Sequence, residues 1–397
     1  MASTSSYYSA NQAVINEILF TATETWACPF DARVIVTVIG GGGGGGSANY
    51  NNAAASAVAA GGGSGAVCKS LLTVASGTSY VATIGAAGSY NSGDQQTGGT
   101  GGNSSWKVDG GSALLQANGG VGGTGQSSAT GNTPSATGGA GGAVGTTGNI
   151  FGVAGARGGN ASVTAYSGSG YHVAAGGGAA AGIFGLAHRG GDASCTTSGY
   201  NKVVAAGGGG VWGRGGDLAA TNGNGIEMSG AGGTAFGAGY DFSANAHRDW
   251  WTAGETANSY TYNWVNRGMT LDYRLSSQAA ETSMHIGQST SIFDGLWGAA
   301  GSVTTSGANT YPGAGGGGAG YHHNTYYGAS AGSGGYVSPG LFGGGGAGAQ
   351  KTGSSGTYGG TGSYGGGGGG AASYSSSDSY SGMGGGGLVV LSILEYL

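Results

Sequence analysis

Seven consecutive glycines, Gly40–Gly46, follow directly on the β-branched run Arg33–Ile39. Such a block has no side chain to bury, and glycine loses more backbone freedom on folding than any other residue. Fixing one residue costs roughly 1–2 kcal/mol. The block can be ordered only where neighbouring segments take up its N–H and C=O groups. The demand recurs at Gly61–Gly63, Gly176–Gly178, Gly207–Gly210, Gly365–Gly370 and Gly384–Gly387, and glycine supplies 100 of the 397 residues. Extended left-handed threefold helices have no internal hydrogen bonds, and without side chains they can approach closely enough to bond one another. A bundle of such helices is the expected core, with a fold that is mainly β and irregular.

The chain is expected to be closed at both ends by apolar strands. Arg33–Ile39 leads into glycine, and glycine leads into Leu388–Leu397 (LVVLSILEYL). These two strands are expected to pair or share a small sheet, bringing the termini to one pole and leaving loops at the other. Ser70–Ile84 reads as two strands around the turn Ala75–Thr78. Trp106–Val108 and Ala113–Gln116 read as a second hairpin about Asp109-Gly110-Gly111. The glycine blocks are irregularly spaced, which argues against a solenoid of fixed period. Residues 241–311 are poor in glycine and hold Trp250, Trp251, Trp264 and Trp297. The expected organisation is an N-terminal attachment segment (1–18), strands plus glycine core with loops (19–240), an inserted aromatic β/loop subdomain (241–311), and glycine core with a closing strand (312–397).

Composition excludes several classes. Charged residues make up 7% of the chain and the formal net charge is −5, so no basic face is available for nucleic acid. Four prolines exclude collagen. Met1–Asn16 has neither a basic start nor an apolar run, so no secretory signal is expected. No apolar stretch is long enough for a transmembrane helix, and no membrane insertion is expected. Cys28, Cys68 and Cys195 lack a CxxC pair; one disulfide at most is possible, and free buried thiols are the expectation. No cofactor or metal is expected. His322-His323 are adjacent, and adjacent side chains on an extended chain point apart.

Phe20–Trp26, Cys28-Pro29 and Val34–Gly40 running into polyglycine resemble the start of the glycine-rich domain of bacteriophage tail fibres and tail-tip adhesins. Leu72-Thr73-Val74, Tyr80–Gly85 and a glycine block feeding a terminal Val/Leu/Ile strand are similar to that domain too. The resemblance covers roughly 20–125 and 364–397. It implies a polyglycine-II sandwich whose distal loops touch host receptors, in a virion tail fibre or tail tip made in the host cytoplasm. The implied partners are a host surface receptor (a glycan or outer-surface protein) and other tail or fibre proteins reached through the N-terminal segment. A homotrimer and a monomer capping another protein's trimer are both consistent with the family.

Tyr, Ser, Gly and Asn are the residues adaptable binding loops favour. The receptor-binding candidates are Tyr171, His172, Trp250, Trp251, Tyr260, Tyr262, Tyr321, His322, Tyr326 and Tyr327. Aromatic faces beside Asn and His suit saccharides; the competing reading packs these rings against one another or against a partner subunit. Catalysis has little support. Asp249, Glu255, Asp272, Glu281 and Asp294 read as solvated surface, Arg157 and Arg189 stand isolated, and no phosphate-loop match occurs. The alternative function is a structural subunit of a fibre, capsid or extracellular filament whose loops make subunit contacts. An ice-binding protein would need regular Ala/Thr rows, which this chain lacks.

Overall fold

The computed structural model describes residues 3–6, 16–50, 56–128, 132–164, 170–180, 187–196, 202–210, 213–220, 227–229, 242–244, 250–252, 255–256, 259–262, 302–303, 319–321, 345–346, 349–351, 357–373 and 379–397. Strands Ser3–Ser6 and those between 227 and 351 are described by backbone course alone. Among the described residues every regular element is a strand.

Both chain ends meet in one antiparallel sheet of six strands. Its order is Ser3–Ser6, Asn16–Phe20, Leu388–Tyr396, Ala32–Ile39, Val67–Val74, Phe151–Val153. The C-terminal strand thus lies between two N-terminal strands, with Val389 opposite Val38, Leu391 opposite Val36 and Ile393 opposite Val34. Period-two alternation buries Ala32, Val34, Val36 and Val38 on one face. They share a core with Phe20, Trp106 and Leu115. A second antiparallel sheet, in the order Ala113–Ala117, Ser104–Val108, Ser79–Thr83 and Glu24–Ala27, supplies the other half of that core. Trp106 stacks on Tyr80 at 5.2 Å and lies 5.6 Å from Phe20.

Trp106 and Leu115 belong to the expected hairpin, and Gly110 has φ +72° in its turn. Ser70–Ile84 differs from its simple reading. Val67–Val74 and Ser79–Thr83 both form, but they enter different sheets and do not pair with each other. Ser79–Thr83 pairs instead with Glu24–Ala27, and Cys28 N–H donates to Thr78 O while Gly77 N–H donates to Cys28 O.

Beyond the terminal sheets the glycine blocks bond to one another in rotation. Gly40, Gly43 and Gly46 donate to Ala66, Gly63 and Ala60 of one neighbour. Gly41 and Gly44 donate to Gly102 and Gly99 of a second, and Gly42 and Gly45 to Gly385 and Gly382 of a third; all seven bonds span 2.8–3.0 Å. The carbonyls are taken up by further segments: Gly41 and Gly44 accept from Gly120 and Gly123, Gly43 and Gly46 from Gly368 and Ala371, and Gly42 from Gly88. Every third residue therefore addresses the same neighbour. A Cβ placed on any residue of Gly40–Gly46 would lie under 3.0 Å from a neighbouring backbone oxygen. Close approach, rather than turn geometry, is what demands glycine here.

At the opposite pole the glycine segments end in three sheets built largely of parallel strands. One runs Gly125–Ser128, Ser56–Ala59, Tyr171–Ala174, Lys202–Ala205, Glu227–Ser229, Trp250–Thr252; only the first strand is antiparallel. A second runs Ser135–Ala136, Ala161–Val163, Ala193–Cys195, Leu218–Ala220, Phe242–Ala244. The third is wholly parallel, from Ser302–Val303 through Ala319–Tyr321, Ala349–Lys351 and Ala371–Ser373 to Ser47–Asn49. The first and second share Val58, Val163, Val173, Val204 and Leu218; the first and third meet through Ala48, Ala57, Ala59, Ala174 and Ala372. Alanine and valine suffice because glycine backbones continue from these strands at close spacing.

Candidate functional site

The strands Ser47–Asn49, Gly125–Ser128, Ala161–Val163 and Ala193–Cys195 bring the chain to the pole formed by the parallel sheets, whereas Ala180 and Ala187 pack with Val67, Ile39, Phe151 and Val153 beside the terminal sheet. Of the receptor-binding candidates, Tyr171 and His172 are the two whose side chains are described. Both are buried, at 0% and 1% exposure. Their strand has parallel neighbours on both edges. Tyr171 packs with Val173 in the core between the first two sheets, and alternation places His172 with Ala174 on the face toward the third. A surface contact through either is not available from this chain, because sheets cover both faces of the strand. Trp250 and Trp251 lie on a strand that extends the first sheet, beside Glu227–Ser229. Tyr260 and Tyr262 lie on a two-stranded hairpin with Glu255–Thr256, and Tyr321 lies on a strand of the third sheet. His322, Tyr326 and Tyr327 lie outside the described residues.

Three returning glycine segments carry a feature that the one-residue reading missed. Arg157-Gly-Gly-Asn160, Arg189-Gly-Gly-Asp192 and Arg214-Gly-Gly-Asp217 each precede a strand of the second sheet. The strands pair in register, so the side chains stack into a ladder. Arg157 reaches Asp192 at 2.8 Å, Arg189 reaches Asp192 at 3.0 Å and also pairs with Asp217, and Arg214 reaches Asp217 at 2.8 Å. Arg157 and Arg189, isolated in the sequence, are thus joined through one carboxylate. The same positions secure backbone donors one rung back: Asn160 Oδ1 accepts from Gly138 N–H, Asp192 Oδ1 from Asn160 N–H, and Asp217 Oδ1 from Asp192 N–H.

Burial alone would push the Asp192 carboxyl up. The Arg157 hydrogen bond, the Asn160 N–H and the charges of Arg189 and Arg157 outweigh that and hold it below the ordinary carboxylate range. The Asp217 hydrogen bond keeps Arg189 more firmly protonated than usual. These ion pairs are about one-third exposed, and their chemistry is alignment of adjacent segments. The repeated Arg-Gly-Gly-Asn/Asp before a small or apolar residue is the signal that could have revealed them.

Cys28, Cys68 and Cys195 are buried, and none is joined to another by a disulfide. Burial pushes the Cys68 thiol up to about 11, and Cys68 donates to Gln116 O at 3.2 Å. Among the described residues no group of three His, Cys, Asp or Glu side chains is arranged to hold a metal.

A family model described as a glycine-rich domain matches residues 20–249. The match takes in Ala32–Ile39 and Val67–Val74 of the terminal sheet, the glycine segments from Gly40 to Gly216 and the arginine ladder. No curated protein matches the chain.

Proposed function

The chain belongs to the glycine-rich domain family, and from that premise we propose that it is a virion tail-fibre or tail-tip protein that binds a host-cell surface receptor. In this reading the receptor is a glycan or surface protein, other tail proteins are met through the N-terminal segment, and the protein binds without catalysing. The glycine body is a polyglycine-II bundle, a reading supported by donors that return to the same neighbour at every third residue.

One observation supports the proposal: both chain ends meet in the sheet at one pole of a backbone-bonded frame, and sheets of parallel strands drawn from distant segments form the other pole. A frame of that kind holds one end against an assembly and presents the other, as binding loops on a rigid scaffold require. Trp250, Trp251, Tyr260, Tyr262, Tyr321, His322, Tyr326 and Tyr327 remain the receptor-binding candidates.

Adsorption competition tests it. Purified full-length protein, pre-coated on a panel of bacteria, is expected to block phage adsorption on a susceptible host. A Tyr260→Ala, Tyr262→Ala variant is expected to block less well. Failure to block on every susceptible host would overturn the proposal in favour of a structural subunit.

A further inference from the structure

We infer that Tyr90, Tyr358 and Tyr380 form a platform for a neutral saccharide beside the turn at 91–97. The inference deepens the receptor-binding reading and rests on it for its biological setting, while its chemistry stands on three observations. The first is the rings. Tyr358 and Tyr380 stack with centroids 4.8 Å apart and planes 5° from parallel, and Tyr90 meets Tyr380 at 6.4 Å and 53°. Tyr90 is 49% exposed. Among the described residues the other exposed large apolar side chains lie toward the terminal sheet or along the glycine segments, so Tyr90 alone stands at the loop pole.

The second is preorganisation. Asn91 N–H donates to Ser381 Oγ, and Ser381 N–H donates back to Asn91 O. Gly93 N–H donates to Ser379 O, and Gln96 exchanges both backbone bonds with Ser47. Gln95 has φ +52°, the one non-glycine residue among those described in the left-handed region. A side chain held there costs free energy that the surroundings must offset, and such strain gathers at binding sites. A turn fixed in this way loses little entropy when a ligand arrives.

The third is charge. The carboxylate of the turn, Asp94, already accepts from Asn49 N–H, Ser127 Oγ and Gln95 Nε2. Its carboxylate is thus held within the turn; Gln95 Nε2 already donates to Asp94 and Ser127 and Gln96 Nε2 to Asp94 O, so the exposed Gln95 and Gln96 offer their carboxamide oxygens as acceptors suited to hydroxyl groups. A tyrosine face stacks on the C–H face of a pyranose, while the amides take its hydroxyls. Three rings are too small an area for a stable protein interface, which needs about 800 Å² per partner. They match one or two sugar units.

Calorimetry and saturation-transfer NMR on the full-length protein provide the test, with neutral gluco-, galacto- and manno-configured trisaccharides as probes. At least one is expected to bind, with affinity falling about tenfold or more in Tyr90→Ala, a loss of about 1.4 kcal/mol, and staying within about threefold in Tyr90→Phe. Thermal unfolding of both variants should match the parent, since Tyr90 is half-exposed. Binding by none of the three probes, or equal binding by Tyr90→Ala, would overturn the inference. Trisaccharide binding without adsorption blocking would retain this site and remove the host-receptor reading; blocking without trisaccharide binding would do the reverse.

Discussion

At Gly43 an added Cβ would fall under 3.0 Å from the Val121 carbonyl, whereas at Gly386 nothing lies within 4 Å. Gly43→Ala must push two backbones apart and is expected to destabilise by about 1–3 kcal/mol, the usual range for overpacking. Gly386→Ala is expected to lie within about 0.5 kcal/mol of the parent. Urea unfolding midpoints decide the matter, and equal midpoints for the two variants would contradict the close-approach account. At this scale the sequence was informative about Gly40–Gly46, because a block without side chains can only be held by its backbone. It was misleading about Tyr171 and His172. A tyrosine beside a histidine looks the same whether its strand lies at a surface or, as here, between neighbours that arrive from residues 56 and 202.

Elements that recur in register turn single residues into ladders. Asp192→Ala removes the carboxylate acceptor of Arg157 and the Asn160 N–H and one of the two that Arg189 holds, and is expected to cost about 1–3 kcal/mol. Asp192→Asn keeps an oxygen for the Asn160 N–H, as Asn160 itself does for Gly138, and should cost less. Acid titration of stability adds a signed check. The fold holds the Asp192 carboxyl below its ordinary value, so its contribution is complete above the unfolded-chain pKa of about 3.9. That contribution is lost as pH falls through the folded value. Asp192→Asn is expected to flatten this acid limb in urea midpoints measured below pH 4; an unchanged limb would show the ladder to be electrostatically idle. The two end strands were legible as elements because their apolar runs abut glycine. The ladder was not, since its Arg-Gly-Gly-Asn/Asp units are unequally spaced and the bonds that join one rung to the next, Arg157–Asp192 and Arg189–Asp217, link residues 35 and 28 apart.

For the whole molecule, the placing of Leu388–Tyr396 between Asn16–Phe20 and Ala32–Ile39 makes the last strand an interior one. Removal of residues 388–397 is expected to abolish the cooperative thermal transition, whereas removal of residues 1–6, which contribute an edge strand, should leave it. Calorimetric scans of the two truncations separate these outcomes, and a preserved transition in the first would refute the interior role. That the ends would meet was readable from their composition, but the growth of three largely parallel sheets at the far pole was not, since it depends on strands of two to four residues drawn from distant segments. The same arrangement has a mechanical consequence. Glycine segments run from one pole to the other, and their hydrogen bonds lie across that direction. A pull between an anchored terminal sheet and a load at the far pole strains those bonds in shear, many together, instead of parting them one at a time like a zipper.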